Sequence, residues 1–153
     1  MWCYRSARAR NLKRVPSVSE PTFYEKIGGE QTFADLASHF YALVAIDPIL
    51  RPMYPDNDLH GAGERLKMFL EQYWGGPTTY SEQRGHPRLR ARHAGFHIDS
   101  AARDAWLRCM QSAVSEIECA PELKAELWSY MLEAAQFMVN QPDDVGGKEI
   151  KLV

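Results

Sequence analysis

Apolar residues recur at helical spacing along most of the chain, and no segment shows the strict alternation of a half-buried strand. Residues 22–27 have room for only about one turn of helix, because either residue of Gly28–Gly29 can end it. A long helix follows, with Thr32 as its predicted cap. Its apolar face consists of Phe33, Leu36, Ala37, Phe40, Leu43 and Val44. Residues 49–54 then form a short, proline-bounded connection.

Three further helices are predicted from the same spacing. Asp58 is suited to cap the first, Asp99 or Ser100 to cap the second, and Pro121 lies in the first turn of the third. Their inner faces include Ala62, Leu66, Phe69, Leu70 and Tyr73, then Ala102, Trp106, Met110, Ala113, Val114 and Ile117, then Leu123, Leu127, Tyr130, Met131, Ala134, Phe137 and Met138. Residues 78–97 read as irregular. We therefore predict an all-α chain of about four main helices.

Composition is typical of a single-domain globular protein. The chain has 153 residues, 45% of them hydrophobic, which is enough for one core. No segment approaches the roughly 18 consecutive apolar residues of a membrane-spanning helix. Its three cysteines, Cys3, Cys109 and Cys119, are odd in number and lack C-x-x-C spacing. That usage argues against a disulfide framework and favours a reducing, cytoplasmic location.

Charge is distributed unevenly behind the formal net value of −2. The first twenty residues contain one acidic residue, Glu20, and five basic residues, Arg5, Arg8, Arg10, Lys13 and Arg14. The rest of the chain is therefore acidic, which argues against a nucleic-acid-binding surface there. We interpret residues 1–20 as a disordered basic extension, 21–141 as the folded domain and 142–153 as a flexible tail. An arm that binds nucleic acid or an acidic surface is the alternative for residues 1–20.

A short basic stretch, Arg84–His93, lies between two long helices and fits neither. Pro87 can start a helix but cannot continue one, so a short helix with His93 near its end is expected. Neutral imidazole is the commonest protein metal ligand, which makes His93 a candidate ligand. A solvated basic loop with an incidental histidine is the alternative. A zinc site of His86, His93 and His97 is disfavoured, because no H-E-x-x-H pattern is present.

The predicted inner faces carry more aromatic residues than a compact four-helix core needs. They are Phe40, Tyr41, Phe69, Tyr73, Trp74, Phe96, Trp106, Tyr130 and Phe137. A bulky core is one explanation. A cavity for a large flat ligand is the other, since a polar ligand would give buried tyrosine hydroxyls and indole N–H groups a partner.

Several ordered motifs resemble the truncated haemoglobins. They include Gly28–Gly29, Phe40–Tyr41, Gly75-Gly76-Pro77 and a histidine at the end of a short segment before the third long helix. Longer runs are similar to the second group of that family, the actinobacterial "O" type: Glu64–Pro77, Tyr80–Leu89 and Asp104–Met110. The resemblance covers about residues 22–140 and neither terminus.

The resemblance implies a two-over-two α-helical sandwich, a globin domain around one haem b. His93 would be the proximal iron ligand, with its other ring nitrogen donating to a backbone carbonyl or a similar acceptor. The distal polar residues would be Tyr41, Tyr54 and Trp106. Ala62 takes the position where many globins place a distal histidine.

The resemblance also implies contacts with the rest of the haem. Tyr80, Arg84 and Arg92 are candidate partners for the propionates, because guanidinium groups suit carboxylates. Apolar contacts with the macrocycle are expected from Leu66, Phe69, Leu70, Phe96 and Met110. Each of these apolar residues could equally belong to an ordinary core.

The function implied is a haem protein that binds O2 reversibly with high affinity, and also NO and CO. The alternative is a haem enzyme using the same site, a peroxidase acting on peroxide or an NO dioxygenase. A peroxidase usually needs a distal base, and no histidine matches such a position, which favours binding. Neither nucleic acid nor an integral membrane segment is expected, and a homodimer stays open. A haem-free helical interaction module is a third class.

Overall fold

The computed structural model describes residues 19–55 and 57–143. The expected extension and tail therefore lie largely outside the described residues. Within these ranges the chain forms seven α-helices and no strand, which confirms the all-α prediction: α1 (Phe23–Ile27), α2 (Gly29–Val44), α3 (Leu59–Tyr73), α4 (Thr79–Arg84), α5 (Leu89–His93), α6 (Ser100–Ser115) and α7 (Pro121–Met138). A short 3-10 helix, Arg51–Met53, lies between α2 and α3. None of the helices in this part combines the length and the apolar character that crossing a bilayer requires.

The four long helices form two pairs. α2 packs along α3, α6 packs along α7, and contact between α2 and α6 joins the two pairs. This is the expected two-over-two arrangement. The short helices are attached around it, with α4 on α3, α5 on α7, and α1 on both α2 and α7.

The hydrophobic core lies where α2, α6 and α7 meet. The apolar stripe of α2 is buried because residues three and four apart share one helical face. The largest fully buried side chains are Phe33, Phe40, Leu36, Leu70, Met110, Leu127, Met131 and Val44. Every long helix therefore contributes at least one of them.

The start of α2 differs from the expectation. Thr32 is not the cap, because α2 begins at Gly29 and its cap residue is Gly28. Gly28 has a φ of 120°, a left-handed value that favours glycine, so the chain turns from α1 into α2 at a single residue. Thr32 lies inside the helix, where its hydroxyl donates to the carbonyl of Ile27 at 2.9 Å.

The segment 78–97 is more regular than predicted, because it contains α4 and α5. α4 has only six residues, too few to show an apolar period. α5 ends on His93, which confirms the short helix predicted for the basic stretch. The predicted starts of α6 and α7 are also confirmed: the carboxylate of Asp99 accepts from the backbone N–H of Ala102 at 2.9 Å, and α7 begins at Pro121. Ile117, expected on the inner face of α6, lies just beyond the end of that helix.

Replacing a buried leucine of α7 should destabilise the protein much more than replacing an exposed leucine of the same helix. Leu127 is fully buried, so Leu127→Ala removes methyl groups and leaves a cavity. The free energy of unfolding, measured by urea denaturation, should fall by about 2–5 kcal/mol. Leu132→Ala on the same helix is the control, because Leu132 is 42% exposed, and it should change stability by only about 0.5 kcal/mol. Equal losses in both variants would contradict this placement of the core.

Candidate functional site

A cavity of about 550 Å³ is bordered by residues of both helix pairs and of the short helices α4 and α5. Cofactor pockets commonly measure roughly 300–1,000 Å³. The expected site residues that line it are Tyr41, Tyr54, Ala62, Leu66, Phe69, Leu70, Tyr80, Arg84, Arg92, His93, Phe96 and Trp106. Residues drawn from widely separated parts of the chain thus meet at one place.

Met110 is the expected site residue that does not line this cavity. It is fully buried in the hydrophobic core, one helical turn beyond Trp106 on α6. Four residues of α7 that were not predicted for the site do line the cavity: Met131, Ala134, Ala135 and Met138. Helical spacing could identify the inner face of α7 but not the fact that this face borders a cavity.

The aromatic residues of the predicted inner faces divide into three groups. Those that line the cavity are Tyr41, Phe69, Phe96, Trp106 and Tyr130, whereas Phe40 and Trp74 pack in or against the core. The expectation is wrong for Tyr73 and Phe137, which are 53% and 56% exposed. Tyr73 stacks on Tyr130 with 4.2 Å between ring centroids, and the Arg90 guanidinium lies 5.4 Å from the ring centroid of Phe137. Each ring therefore has a partner at the surface.

His93 reaches the cavity from the end of α5. Its Nδ1 lies 2.6 Å from the carbonyl oxygen of Leu89, one turn earlier in the same helix. A carbonyl oxygen can only accept, so Nδ1 carries the proton and donates. Nε2 is then left with a lone pair, which is the tautomer that a metal ligand needs. This is the backbone hydrogen bond expected for a proximal histidine.

Arg92 holds together the loop that precedes α5. Its guanidinium donates to the carbonyls of Arg84 and Pro87, both at 2.7 Å, and to that of His86 at 3.3 Å. The same loop contains Arg88, whose φ of 42° is the one left-handed value among the described non-glycine residues. Such a backbone conformation is strained and persists where surrounding contacts enforce it. The basic stretch is thus braced by hydrogen bonds, although most of its residues are exposed.

Arg65 and Arg84 also line the cavity, and of these two only Arg65 has an ion-pair partner among the described residues. Arg65, which was not predicted for the site, donates to the carboxylate of Asp58 at 2.6 Å. That hydrogen bond lowers the pKa of Asp58, so the ion pair is present at neutral pH. The side chain of Arg84 makes no hydrogen bond within the described ranges. Arg84 is therefore more available to a ligand carboxylate than Arg92, which is committed to its loop.

Three hydrogen-bond donors line the cavity from α2, α6 and the connection before α3. The rings of Tyr41 and Tyr54 stand nearly perpendicular, at 89° with centroids 5.6 Å apart. Burial raises the pKa of both tyrosines, so their hydroxyls stay protonated and can donate at physiological pH. The indole N–H of Trp106 has no hydrogen-bond partner among the residues that the structure describes. A side-chain hydrogen bond joins the two tyrosine hydroxyls, so a ligand in the cavity would meet them as a bonded pair and the indole as a free donor.

The alternative zinc site finds no support in its geometry. Across residues 19–55 and 57–143, no cluster of three His, Cys, Asp or Glu side chains is arranged to hold a metal ion. Nδ1 of His86 instead accepts from the backbone N–H of Arg88 at 3.2 Å, and the exposed His97 lies 3.6 Å from Asp99. His60 is also exposed and lines a separate, smaller pocket.

The chain is similar to proteins of known family. Residues 22–140 match the family model described as bacterial-like globin. The chain is 42% identical over 120 residues to the group 2 truncated haemoglobin YjbI of Bacillus subtilis (strain 168), a match that covers 78% of this chain and 89% of that protein. The thermostable haemoglobin of the actinobacterium Thermobifida fusca superimposes with a TM-score of 0.77 and 56% identity, over 78% of this chain and 98% of that one. The truncated oxygen-avid haemoglobin of Bacillus subtilis superimposes with a TM-score of 0.73 and 41% identity, over 78% of this chain and all of that one (100%).

The chain therefore belongs to the bacterial-like globin family, within the group II truncated haemoglobins. It is accordingly a haem-binding globin. The cavity fits that cofactor on three grounds: a volume of about 550 Å³, an imidazole whose Nε2 is free, and arginines that can meet carboxylates.

Replacing Arg92 with lysine should loosen the loop before α5. Lysine keeps the charge but lacks the planar fork that serves three carbonyls at once. Hydrogen bonds from a charged donor are each worth about 1.5–3 kcal/mol, so amide hydrogen exchange over residues 85–89 should accelerate at least about tenfold, as followed by mass spectrometry. Arg90→Lys is the matched control, because the Arg90 guanidinium lies over Phe137 instead. Unchanged exchange in Arg92→Lys would show that the loop does not depend on this side chain.

Proposed function

We propose that the protein binds O2 reversibly and with high affinity, and also NO and CO, at a ferrous haem b held by His93. The observation that carries the proposal is one cavity lined both by a histidine with a free Nε2 and by three proton-bearing donors. When bound, the haem supplies an iron that takes diatomic gases, whereas the chain supplies the surroundings that set their affinity.

The residues around His93 would hold the haem in place. His93 would bind the iron through Nε2, while the hydrogen bond from its Nδ1 to Leu89 keeps the tautomer and the ring orientation. Arg84 would meet a propionate, with Arg92 and the buried Tyr80 beside it. The arginines would thus complement the acidic edge of the cofactor. Apolar contact with the macrocycle, which also excludes water, would come from Leu66, Phe69, Leu70 and Phe96.

The donors on the other part of the cavity wall would set the affinity. Trp106 can donate to a bound ligand that gains negative charge, and so can the hydrogen-bonded pair of Tyr41 and Tyr54 through the hydroxyl that is not donating to the other. Hydrogen bonds of this kind are stronger in a cavity that excludes water. The structurally similar truncated haemoglobin of Bacillus subtilis is described as oxygen-avid, which supports tight binding of O2. Slow release suits retention or sensing of the gas better than delivery.

The residues of the cavity favour binding of a gas over the alternative of a haem enzyme. His93 is the one histidine among the residues that line the described cavity. A peroxidase ordinarily uses a distal general base, and the tyrosines cannot take that part readily because burial raises the pKa of both. The donor set instead suits stabilisation of a bound ligand.

Removal of the His93 imidazole should abolish stable haem binding. His93→Ala leaves no histidine in the cavity to bind the iron, so purified protein given haem should lack the Soret band of a histidine-bound haem. His97→Ala is the matched control, since the exposed His97 lies four residues further along and does not line the cavity. Full haem content in His93→Ala would show that another residue is the axial ligand.

Removal of single donors should speed the release of O2. Tyr41→Phe and Trp106→Phe each delete one hydrogen bond of about 0.5–1.5 kcal/mol, so O2 dissociation, followed by stopped-flow displacement with CO, should accelerate about 2- to 10-fold. Tyr73→Phe is the control, because Tyr73 is largely exposed and does not line the cavity. Rates unchanged from the parent in both test variants would remove the role proposed for the donors.

A further inference from the structure

Asn140 lies just beyond the end of α7 and is bonded to the segment that follows His93. Its Nδ2 donates to the carbonyl oxygens of His93 at 3.2 Å and Phe96 at 2.9 Å. Its Oδ1 accepts from the backbone N–H of Ile98 at 3.0 Å, and its own backbone N–H donates to the carbonyl of Ile98 at 2.9 Å. The three side-chain partners also settle the orientation of the amide, because two of them can only accept and the third can only donate.

The segment held by Asn140 has few other supports. α5 has five residues, too few to be stable through its own hydrogen bonds. Beyond His93 the chain is exposed as far as His97, and the space around Gly95 is open. The His93 carbonyl accepts from the backbone N–H of Phe96 at 3.0 Å as well as from Asn140, so Asn140 joins a local bond to a distant part of the chain.

The bonds of Asn140 are distinct from neighbouring bonds that hold α6. Asp143 accepts from the backbone N–H of Ser100 at 3.2 Å, and Gln136 accepts from Arg103 at 2.7 Å. Both contacts reach α6, whereas the side chain of Asn140 reaches His93 directly. The end of α7 thus carries one connection to the proximal segment and separate connections to the neighbouring helix.

We propose that Asn140 is a positioning residue for the haem iron. By fixing the His93 carbonyl, it sets the direction of the imidazole and therefore the strength of the bond between Nε2 and the iron. The inference rests on the proposed function, since it requires His93 to be the iron ligand. When a group that orients a metal ligand through a hydrogen bond is replaced, the metal affinity typically changes about 10- to 100-fold.

Asn140→Asp is the sharpest test, because it keeps the shape of the side chain and an acceptor for Ile98. It removes the Nδ2 donor and places an oxygen against two carbonyls. Haem transfer to excess apomyoglobin should become about tenfold faster, the lower end of the range for such groups. The iron–histidine stretching band of the deoxy ferrous protein, measured by resonance Raman, should shift to lower frequency. Asn140→Ala should give the same two changes.

Asp143→Asn is the matched control, since it alters the same segment at the contact with Ser100. It should leave both readouts at parent values. Circular dichroism checks helix content, and if Asn140→Ala does not fold, Asn140→Asp decides alone. Parent-like Raman bands and haem loss in the folded Asn140 variants would overturn the inference even if their melting temperatures fell, because Asn140 would then only join two segments.

The outcome for His93→Ala separates this inference from the proposed function. Retention of haem with a parent-like Raman band in His93→Ala would overturn the proposed function, and this inference with it. Loss of haem in His93→Ala, combined with parent-like Asn140 variants, would overturn only the positioning role.

Discussion

A helix of five residues cannot hold a side chain in one direction by its own hydrogen bonds, because helix nucleation is costly and so few residues repay little of it. α5 is such a helix, yet it carries the imidazole at the cavity. The surrounding chain supplies the missing order from both ends. Arg92 ties down the loop before α5, and Asn140 ties down the segment after it. Contacts beyond the hydrogen bonds of the helix itself therefore determine the geometry of the site.

Leu70 and Met131 belong both to the core and to the cavity wall, but elsewhere the core and the cavity occupy different parts of the same helices. α6 shows this most clearly, since Met110 is enclosed in the core while Trp106, one turn earlier, lines the cavity. The core near Leu127 can therefore maintain the fold while the cavity wall serves the ligand. A cofactor that binds only the folded chain adds to its stability, so the two parts are linked through mass action.

Periodicity predicted the four long helices because each buries a stripe of apolar residues, and burial dominates folding. It was less reliable where backbone geometry decides, as at Gly28, whose left-handed conformation moved the start of α2 ahead of Thr32. The residues expected at the cavity came from the family resemblance, and spacing alone left them open. Met110 shows the limit of that approach, since a residue one turn away can face a different environment.

Arg65 and Asn140 were not predicted as site residues, because their sequence surroundings carry no signal of what they contact. The partners of Asn140 lie more than forty residues earlier in the chain, at sequence separations of 42 to 47. Arg65 is a charged residue within an amphipathic helix, where a solvated position is the ordinary expectation. No local spacing distinguishes either residue, so only the folded chain reveals what they contact.

The buried tyrosines also determine which signals the site can respond to. Because burial raises the pKa of Tyr41 and Tyr54, neither hydroxyl gains or loses its proton across the physiological range. A ligand that accepts hydrogen bonds from them is held as firmly in a mildly acidic cell as in an alkaline one. In the proposed site, acidification would therefore leave these two donors unchanged. Release from the proposed site would then depend on the strength of the iron–ligand bond and on rotation of the rings away from the ligand.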